Sequence, residues 1–156
     1  MKQARVGVSV ILISKDLQVL VGKRKGSHGE GMWSVPGGHL EYMETYKDAC
    51  DRELLEEVGV KFDNYEKVGF SEDVFGEKQY TTLYFAVKGI DTKKVKIRNM
   101  EPHKCEEWKW IHIEQLQDKL FCDTYNQIHT LFEKMTVIDQ SKKNSFDTYK
   151  EKWKLK

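Results

Sequence analysis

The chain begins with two apolar runs that are separated by a short polar break. Residues 4–14 consist mainly of Val, Ile and Leu, and residues 18–24 repeat this character after the polar pair Lys15 and Asp16. Short apolar runs rich in β-branched residues and bounded by polar turns are typical of buried strands. The pattern therefore predicts two neighbouring strands at the start of a β-sheet.

A glycine-rich segment follows these strands and leads into a helix. Residues 26–38 contain several glycines, one proline and few apolar residues, a composition that favours a loop. From residue 45 onward, the apolar positions recur with helical spacing. Thr45 is a suitable N-cap and Gly59 a suitable stop, so the pattern predicts a helix of about fourteen residues between them.

Strands and helices alternate through the following part of the chain. Residues 65–75 and 79–89 have the pattern of two strands joined by a hairpin, and residues 106–113 have the pattern of another strand. Helical periodicity predicts helices over residues 114–120 and 123–135.

The order of these elements predicts one α/β domain, in which helices sandwich a mixed β-sheet. The chain has 156 residues and is 39% hydrophobic, which suits one core rather than two. We place the domain at residues 1–135 and assign residues 136–156 to a polar, lysine-rich C-terminal extension. Phe146, Tyr149 and Trp153 are spaced so that they could anchor this extension as a helix.

Charge and composition exclude several classes of function. Lys and Arg total 26 and Asp and Glu total 25, so the net charge of +1 gives no overall attraction to nucleic acid or to anionic membranes. No segment approaches the roughly 20 apolar residues needed to span a bilayer. The three cysteines are far apart and form no CxxC pair, which suits a reduced intracellular protein. We therefore expect a cytoplasmic protein with no membrane contact and no stable nucleic-acid complex.

The predicted helix carries an unusual concentration of acidic residues. Glu53, Glu56 and Glu57 fall within an arc of about 100° at helical spacing, and apolar residues occupy the adjoining arc. Like charges at this spacing destabilise a helix by roughly 0.2–0.5 kcal/mol per pair. Hard divalent cations such as Mg²⁺ prefer carboxylate oxygens and also join the phosphate oxygens of a substrate. The cluster therefore indicates a metal site, with a solvated acidic helix face as the alternative.

The stretch around this cluster resembles the signature of the Nudix hydrolases, G-x5-E-x7-R-E-U-x-E-E-x-G-U, where U is a bulky aliphatic residue. The matching residues are Gly38, Glu44, Arg52, Glu53, Leu54, Glu56, Glu57, Gly59 and Val60. A chance match at this many restricted positions is rarer than roughly one in a million at ordinary amino-acid frequencies. The resemblance implies an α/β/α sandwich around a mixed sheet and hydrolysis of nucleoside diphosphates linked to another group. Glu44 matches a position that shapes the loop and the helix.

The resemblance also implies roles for individual residues. Glu53, Glu56 and Glu57 match the metal-binding and base positions of the family, with Arg52 orienting Glu53, and Gly37 matches a glycine whose carbonyl joins the metal shell. Mg²⁺ is the expected cofactor, with Mn²⁺ as a substitute. Water attacks a phosphorus of the diphosphate bridge while a glutamate takes its proton, and Glu53 is our first choice for that base. Acids of a later loop are further candidates: Glu101, Glu106 and Glu107.

Segments on both sides of the signature look like the MutT-like nucleoside triphosphate diphosphatase branch of the family. Residues 22–42 and 99–116 carry this similarity. It implies cleavage of a nucleoside or deoxynucleoside triphosphate to the monophosphate and pyrophosphate, with oxidised purine nucleotides such as 8-oxo-dGTP as plausible substrates. The cations Lys23, Arg24 and Lys25 suit a triphosphate because they make charge-assisted hydrogen bonds to its oxygens. The other candidates for substrate binding are Gly38, His39, Phe75, Tyr80, Tyr84 and Phe121.

Two alternative functions remain open at this point. The same chemistry can act on a nucleotide sugar, ADP-ribose, a dinucleoside polyphosphate or an RNA cap. The other alternative is a nucleotide-sensing module that has lost catalysis. Loss of catalysis usually accompanies replacement of acids of the signature, and all of those acids are present here. The resemblance is compatible with a homodimer, which the composition does not decide.

Overall fold

The first two apolar runs form central strands of a sheet in the computed structural model, which describes residues 3–26, 28–116 and 120–138. Strand β1 spans Arg5–Ser14 and strand β2 spans Gln18–Arg24. The two strands pair antiparallel, so both predicted strands are confirmed.

Five further strands complete a seven-stranded mixed sheet in the described part of the chain. Their bounds are Trp33–Ser34 (β3), Gly37–His39 (β4), Glu66–Phe75 (β5), Lys78–Ile90 (β6) and Cys105–His112 (β7). The main order is β3-β2-β1-β6-β5, with β4 paired to β1 and β7 paired to β2. β1 and β6 are parallel, whereas the other pairings are antiparallel. The predicted hairpin, which joins β5 to β6, is confirmed.

Helix α1 spans Tyr46–Val58, and the predicted caps define both of its ends. The Thr45 hydroxyl accepts a hydrogen bond from the backbone N–H of Asp48 at 3.2 Å, which satisfies a free donor of the first turn. Gly59 ends the helix with a φ of 70°, a left-handed conformation that glycine adopts without steric cost. The predicted helix is therefore confirmed.

The prediction of a helix over residues 114–120 is wrong for the described residues. Ile113–Gln115 forms one 3₁₀ turn, and Leu116 follows it with extended backbone. Leu120 forms a β-bridge with Trp33, and both leucines are buried in the core. Their packing against the sheet overrides the helical spacing of the local sequence.

Helix α2 spans Thr124–Ile138 and confirms the last predicted helix. It continues past residue 135, so the helix crosses the predicted domain boundary. Residues 139–156, which make up most of the predicted extension, lie outside the described residues. None of the described helices is long and apolar enough to cross a membrane.

Two apolar cores lie on opposite faces of the sheet. Even-numbered residues of β1 pack with α1, in a core that includes Val8, Val10, Leu12, Leu54 and Val58. Odd-numbered residues of β1 pack with α2, in a core that includes Ile11, Ile13, Ile128, Leu131 and Phe132. Because each face is covered by a helix, the predicted α/β/α sandwich is confirmed.

Candidate active site

A cleft of about 560 Å³ opens beside helix α1 and the central strands. Its walls contain the residues that the sequence predicts for metal and substrate binding: Arg24, Gly37, Gly38, His39, Arg52, Glu53, Glu56, Glu57, Tyr84 and Phe121. These residues come from well-separated parts of the chain. The fold therefore brings the predicted metal-binding and substrate-binding residues together around one space.

Two glycines of β4 let the sheet approach helix α1 closely. The backbone N–H of Gly37 donates a hydrogen bond of 2.9 Å to Oε2 of Glu57. A side chain at Gly37 would overlap the carbonyl oxygen of Val8 in β1, and a side chain at Gly38 would overlap the carboxylate of Glu53. Each glycine is thus required by a different neighbour, one by the sheet backbone and the other by a site carboxylate.

Alanine substitutions at the two glycines are expected to have different effects. Gly37→Ala places a methyl group against backbone atoms that cannot move aside. We expect it to lower the free energy of unfolding by several kcal/mol, which is at the upper end of the effects measured for overpacked cores. Gly38→Ala pushes the Glu53 carboxylate aside instead, so we expect a loss of kcat of about tenfold or more with a smaller change in stability. Urea denaturation and steady-state kinetics measure the two effects, and equal losses of stability would contradict this assignment.

Arg52 holds the glutamates around it in fixed positions. Its guanidinium donates two hydrogen bonds to Glu44, at 2.7 and 2.9 Å, and one to Oε1 of Glu53 at 2.7 Å. It also donates to the backbone carbonyl of His39 at 2.9 Å. The bond from Arg52 is the main cause that lowers the pKa of Glu44, and Glu44 in turn raises the pKa of Arg52. The structure therefore places Arg52 where it can orient Glu53, with Glu44 as the anchor of its guanidinium.

Two of the three helix glutamates are held in environments that disfavour their charge. Burial raises the pKa of Glu53, although the adjacent Arg52 opposes this effect. Burial also raises the pKa of Glu57 to about 8, against the hydrogen bond from Gly37 and with the negative charge of Glu53 adding to the rise. Glu56 differs because its side chain is 53% exposed. The cleft therefore holds two carboxyl groups whose ionised forms are disfavoured unless a positive charge compensates them.

The donor set suits a hard divalent cation, although the side chains do not yet converge on one point. Three carboxylates and the backbone of Gly37 offer oxygen ligands, which Mg²⁺ and Mn²⁺ prefer. A bound cation would also relieve the unfavourable burial of Glu53 and Glu57. Among the described residues, no three His, Cys, Asp or Glu side chains are close enough to hold an ion as they stand. The Arg52 and Gly37 hydrogen bonds engage one oxygen of Glu53 and one oxygen of Glu57, so the second oxygen of each carboxylate is the one that would face a cation.

The raised pKa of Glu57 predicts how the metal-free protein responds to pH. A carboxyl group whose folded pKa of about 8 exceeds its unfolded value of roughly 4.3 keeps its proton longer in the folded state. Stability is therefore expected to fall as the pH rises from about 4 to about 8, and to level off above that. Urea denaturation in EDTA at several pH values measures this slope. Glu57→Gln is expected to flatten it, and an unchanged slope in that variant would contradict the assignment.

Arg24 and Phe121 contact each other in one wall of the cleft. The guanidinium carbon of Arg24 lies 3.9 Å from the centre of the Phe121 ring, a cation–π contact. Its Nε donates a hydrogen bond of 3.0 Å to the backbone carbonyl of His28. Lys23 instead pairs with Glu106 at 3.0 Å and does not belong to the cleft lining, and neither does Lys25. Of the three predicted cations, Arg24 is thus the one that reaches the site.

Aromatic rings continue this wall across the cleft. Phe75 lies nearly parallel to Phe121, with ring centres 6.1 Å apart, and the imidazole of His39 stacks on Tyr80 at 5.8 Å. His28 meets the ring of Phe75 edge-on at 4.8 Å. Such a surface offers flat apolar faces to an aromatic ligand.

Tyr84 occupies a different position from the other predicted aromatic residues. Its side chain is only 1% exposed and packs in the core on the α2 side of the sheet. Its hydroxyl lies 3.5 Å from the hydroxyl of Ser71, and burial raises the pKa of Tyr84 to about 12. Tyr84 is therefore a neutral part of the cleft floor rather than an exposed stacking ring.

The later loop contributes one of its three predicted acids to the cleft. Glu101 lines the cleft, whereas Glu106 pairs with Lys23 and Glu107 pairs with Lys109 at 2.7 Å. Among the lining residues that the sequence did not predict, His28 and Lys104 are able to contact a charged ligand. Their only indication in the sequence is where they lie along the chain: His28 is in the glycine-rich loop, and Lys104 follows three residues after Glu101.

The acidic edge of α1, two glycines of β4 and a group of aromatic residues therefore line one cleft. The NUDIX domain family model matches residues 3–132, so the chain belongs to the NUDIX family. As a member of this family, the protein is a hydrolase that acts on phosphoric anhydrides.

Individual relatives agree with this family assignment. The chain is 28% identical over 110 residues to the oxidized purine nucleoside triphosphate hydrolase of Mus musculus, covering 69% of this chain and 67% of that protein. It is 30% identical over 135 residues to the RNA pyrophosphohydrolase of Bartonella bacilliformis, covering 72% of this chain and 79% of that protein. The crystal structure of a MutT NUDIX hydrolase from Burkholderia pseudomallei has the same fold, with a TM-score of 0.75 and 23% identity, covering 83% of this chain and 98% of that chain.

Proposed function

We propose that the protein is a Mg²⁺-dependent nucleoside triphosphate diphosphatase that releases pyrophosphate and a nucleoside monophosphate. Its substrates include oxidised purine nucleotides such as 8-oxo-dGTP, and Mn²⁺ substitutes for Mg²⁺. The observation that carries this proposal is that the acids of α1 and the aromatic residues around Phe121 line the same cleft. The similarity to a relative named oxidized purine nucleoside triphosphate hydrolase supports the choice of substrate.

The residues of α1 would hold the cation and prepare the attacking water. Glu53, Glu56 and Glu57 would supply carboxylate ligands, and the carbonyl of Gly37 would add a further oxygen. When bound, Mg²⁺ supplies neutralisation of phosphate charge and a lower pKa for a water molecule. Glu53 accepts the proton of the water that attacks phosphorus, and Arg52 keeps its carboxylate in place at 2.7 Å. Burial raises the pKa of Glu53, which brings this base closer to the working pH.

The rest of the cleft would bind the nucleotide. Arg24 is charged and lies beside the aromatic wall, so it can contact phosphate oxygens while Phe121 stacks against the base. His39 and Gly38 lie next to the acids and would contact the phosphates or the sugar. The attacked phosphoric anhydride would then lie between the residues that bind the base and the acids of α1.

Removal of the Phe121 ring is expected to weaken nucleotide binding. Stacking of a base on an aromatic side chain contributes about 1–3 kcal/mol, so Phe121→Ala should raise KM about tenfold or more with a smaller change in kcat. Phe70→Ala is the matched control, because Phe70 is 61% exposed on β5 and does not line the cleft. Steady-state kinetics with one triphosphate substrate make the comparison. Equal KM values for the two variants would contradict a base-binding role for this wall.

A substrate panel separates the proposed function from the other NUDIX activities. We expect the wild-type protein to turn over canonical or oxidised (d)NTPs with higher kcat/KM than ADP-ribose, a nucleotide sugar, a dinucleoside polyphosphate or 5′-triphosphorylated RNA. The last of these substrates is included because of the similarity to RNA pyrophosphohydrolases. Preference for RNA or ADP-ribose over every triphosphate would overturn the substrate class while leaving the family assignment intact.

A further inference from the structure

The loop that precedes β7 carries a lysine–glutamate pair into the acidic side of the cleft. Lys104 and Glu101 both line the cleft, and the ammonium of Lys104 lies 2.7 Å from Oε1 of Glu101. The backbone N–H of Met100 donates to the carbonyl of Glu57 at 3.0 Å, which ties the loop to α1. The carbonyl of Lys104 accepts from the N–H of Lys25 at 2.9 Å, which ties the other end of the loop to the strand-end cations. Backbone hydrogen bonds therefore tie the loop to α1 at one end and to the residue that follows β2 at the other.

Lys104 differs from the two arginines that line the same cleft. Arg52 is held by Glu44, Glu53 and the His39 carbonyl. Arg24 packs on the Phe121 ring. Among the described residues, Glu101 is the ion-pair partner that the structure gives Lys104, and the lysine side chain is 62% exposed. A lysine has a long flexible stem, so its ammonium can change partners at low cost.

The Lys104–Glu101 pair lies close enough to the acids of α1 to act on Glu57 electrostatically. The carboxylates of Glu53 and Glu101 both raise the pKa of Glu57, and the ammonium of Lys104 lowers it. The Glu101 carboxylate raises the pKa of Lys104, so the ammonium stays charged at neutral pH. Lys104 therefore supplies a positive charge in the same cleft as the carboxylates of α1.

We propose that Lys104 is a polyphosphate-binding residue that leaves Glu101 when the substrate arrives, which frees the Glu101 carboxylate to face the cation held by Glu53 and Glu57. The exchange gives each charged group a stronger partner, because Lys104 gains phosphate oxygens and Glu101 gains a divalent cation. This inference rests on the proposed triphosphate substrate and adds to it a residue that couples substrate binding to metal binding.

The exchange predicts that one substitution shifts two affinities in opposite directions. Lys104→Gln removes a charge-assisted contact to phosphate, so KM for a triphosphate should rise about tenfold to a hundredfold. The same substitution also removes the ion-pair partner of Glu101. Mn²⁺ should therefore bind the substrate-free protein several-fold more tightly, as expected for one added carboxylate ligand. Electron paramagnetic resonance of free Mn²⁺ measures the second affinity without any turnover.

Lys109→Gln is the matched control. Lys109 forms an exposed pair with Glu107 at the same 2.7 Å but does not line the cleft, so neither KM nor Mn²⁺ affinity should change. Circular dichroism and thermal melts establish that both lysine variants fold.

A double substitution tests whether Glu101 mediates the metal effect. In Glu101→Gln/Lys104→Gln, the gain in Mn²⁺ affinity should disappear. Its persistence there, or an unchanged KM in Lys104→Gln, would overturn the inference. The proposed function is tested separately by wild-type turnover, since failure of the wild type to release pyrophosphate leaves the Mn²⁺ comparison still measurable.

Discussion

Glu57→Gln is expected to lower kcat by at least about a hundredfold while the protein stays folded. The substitution removes a charged metal ligand but keeps the shape of the side chain. The amide oxygen of glutamine can still accept the hydrogen bond that the Gly37 N–H gives to Glu57 at 2.9 Å. Loss of an unfavourably buried charge should also increase the stability of the metal-free variant above pH 8, since burial raises the pKa of Glu57 to about 8.

Glu56→Gln is expected to lower kcat to a similar extent, because it also removes a charged metal ligand. Glu56 is half exposed and lies 3.4 Å from Arg52, so the substitution is expected to leave the fold intact. Glu72→Gln, an exposed position on β5, serves as the control with full activity. Mg²⁺-dependent kinetics and Mn²⁺ affinity should fall together in the two site variants. Wild-type activity in either one would remove that glutamate from the metal site.

Arg52→Ala is expected to damage both the fold and the activity. Glu44 and Glu53 have side chains that are only 11% and 10% exposed, and Arg52 compensates both charges. Removing one partner of a buried charge pair costs about 3–5 kcal/mol, and the Glu53 base loses its fixed orientation at the same time. We therefore expect a large fall in the urea midpoint together with a loss of kcat of about a hundredfold or more.

Arg52→Lys separates charge from geometry. A lysine keeps the positive charge but cannot donate to Glu44, Glu53 and the His39 carbonyl at once, since it lacks the planar fork of arginine. Partial recovery of stability with low kcat is the expected result. Full recovery of kcat would show that charge alone is sufficient and that Arg52 does not orient the base.

Local signals in the sequence were enough to predict helix α1 and the residues at its acidic edge. Thr45 and Gly59 define its ends through caps that involve only neighbouring residues, and the spacing of Glu53 and Glu57 follows from the helical repeat. The prediction over residues 114–120 failed because Leu120 is paired with Trp33, a contact that only the folded sheet provides.

Long-range contacts decide the parts of the site that the sequence did not reveal. Lys104 reaches the cleft because its loop hydrogen-bonds to the end of α1, and His28 reaches it because Arg24 holds the loop carbonyl. Tyr84 was predicted among the pocket aromatics and lines the cleft, but the register of β6 against β1 leaves its ring only 1% exposed. These contacts join residues that are far apart in the chain, so local sequence patterns do not predict them.

The most direct test of the proposed function is the stoichiometry of products from a single triphosphate. Wild-type protein is incubated with 8-oxo-dGTP or a canonical (d)NTP in Mg²⁺, and pyrophosphate, orthophosphate and nucleotide products are resolved over time, with EDTA as the metal-free control. The expected result is one pyrophosphate and one nucleoside monophosphate for each triphosphate consumed, with no turnover in EDTA. Release of orthophosphate instead, or no pyrophosphate from any triphosphate tested, would contradict the account.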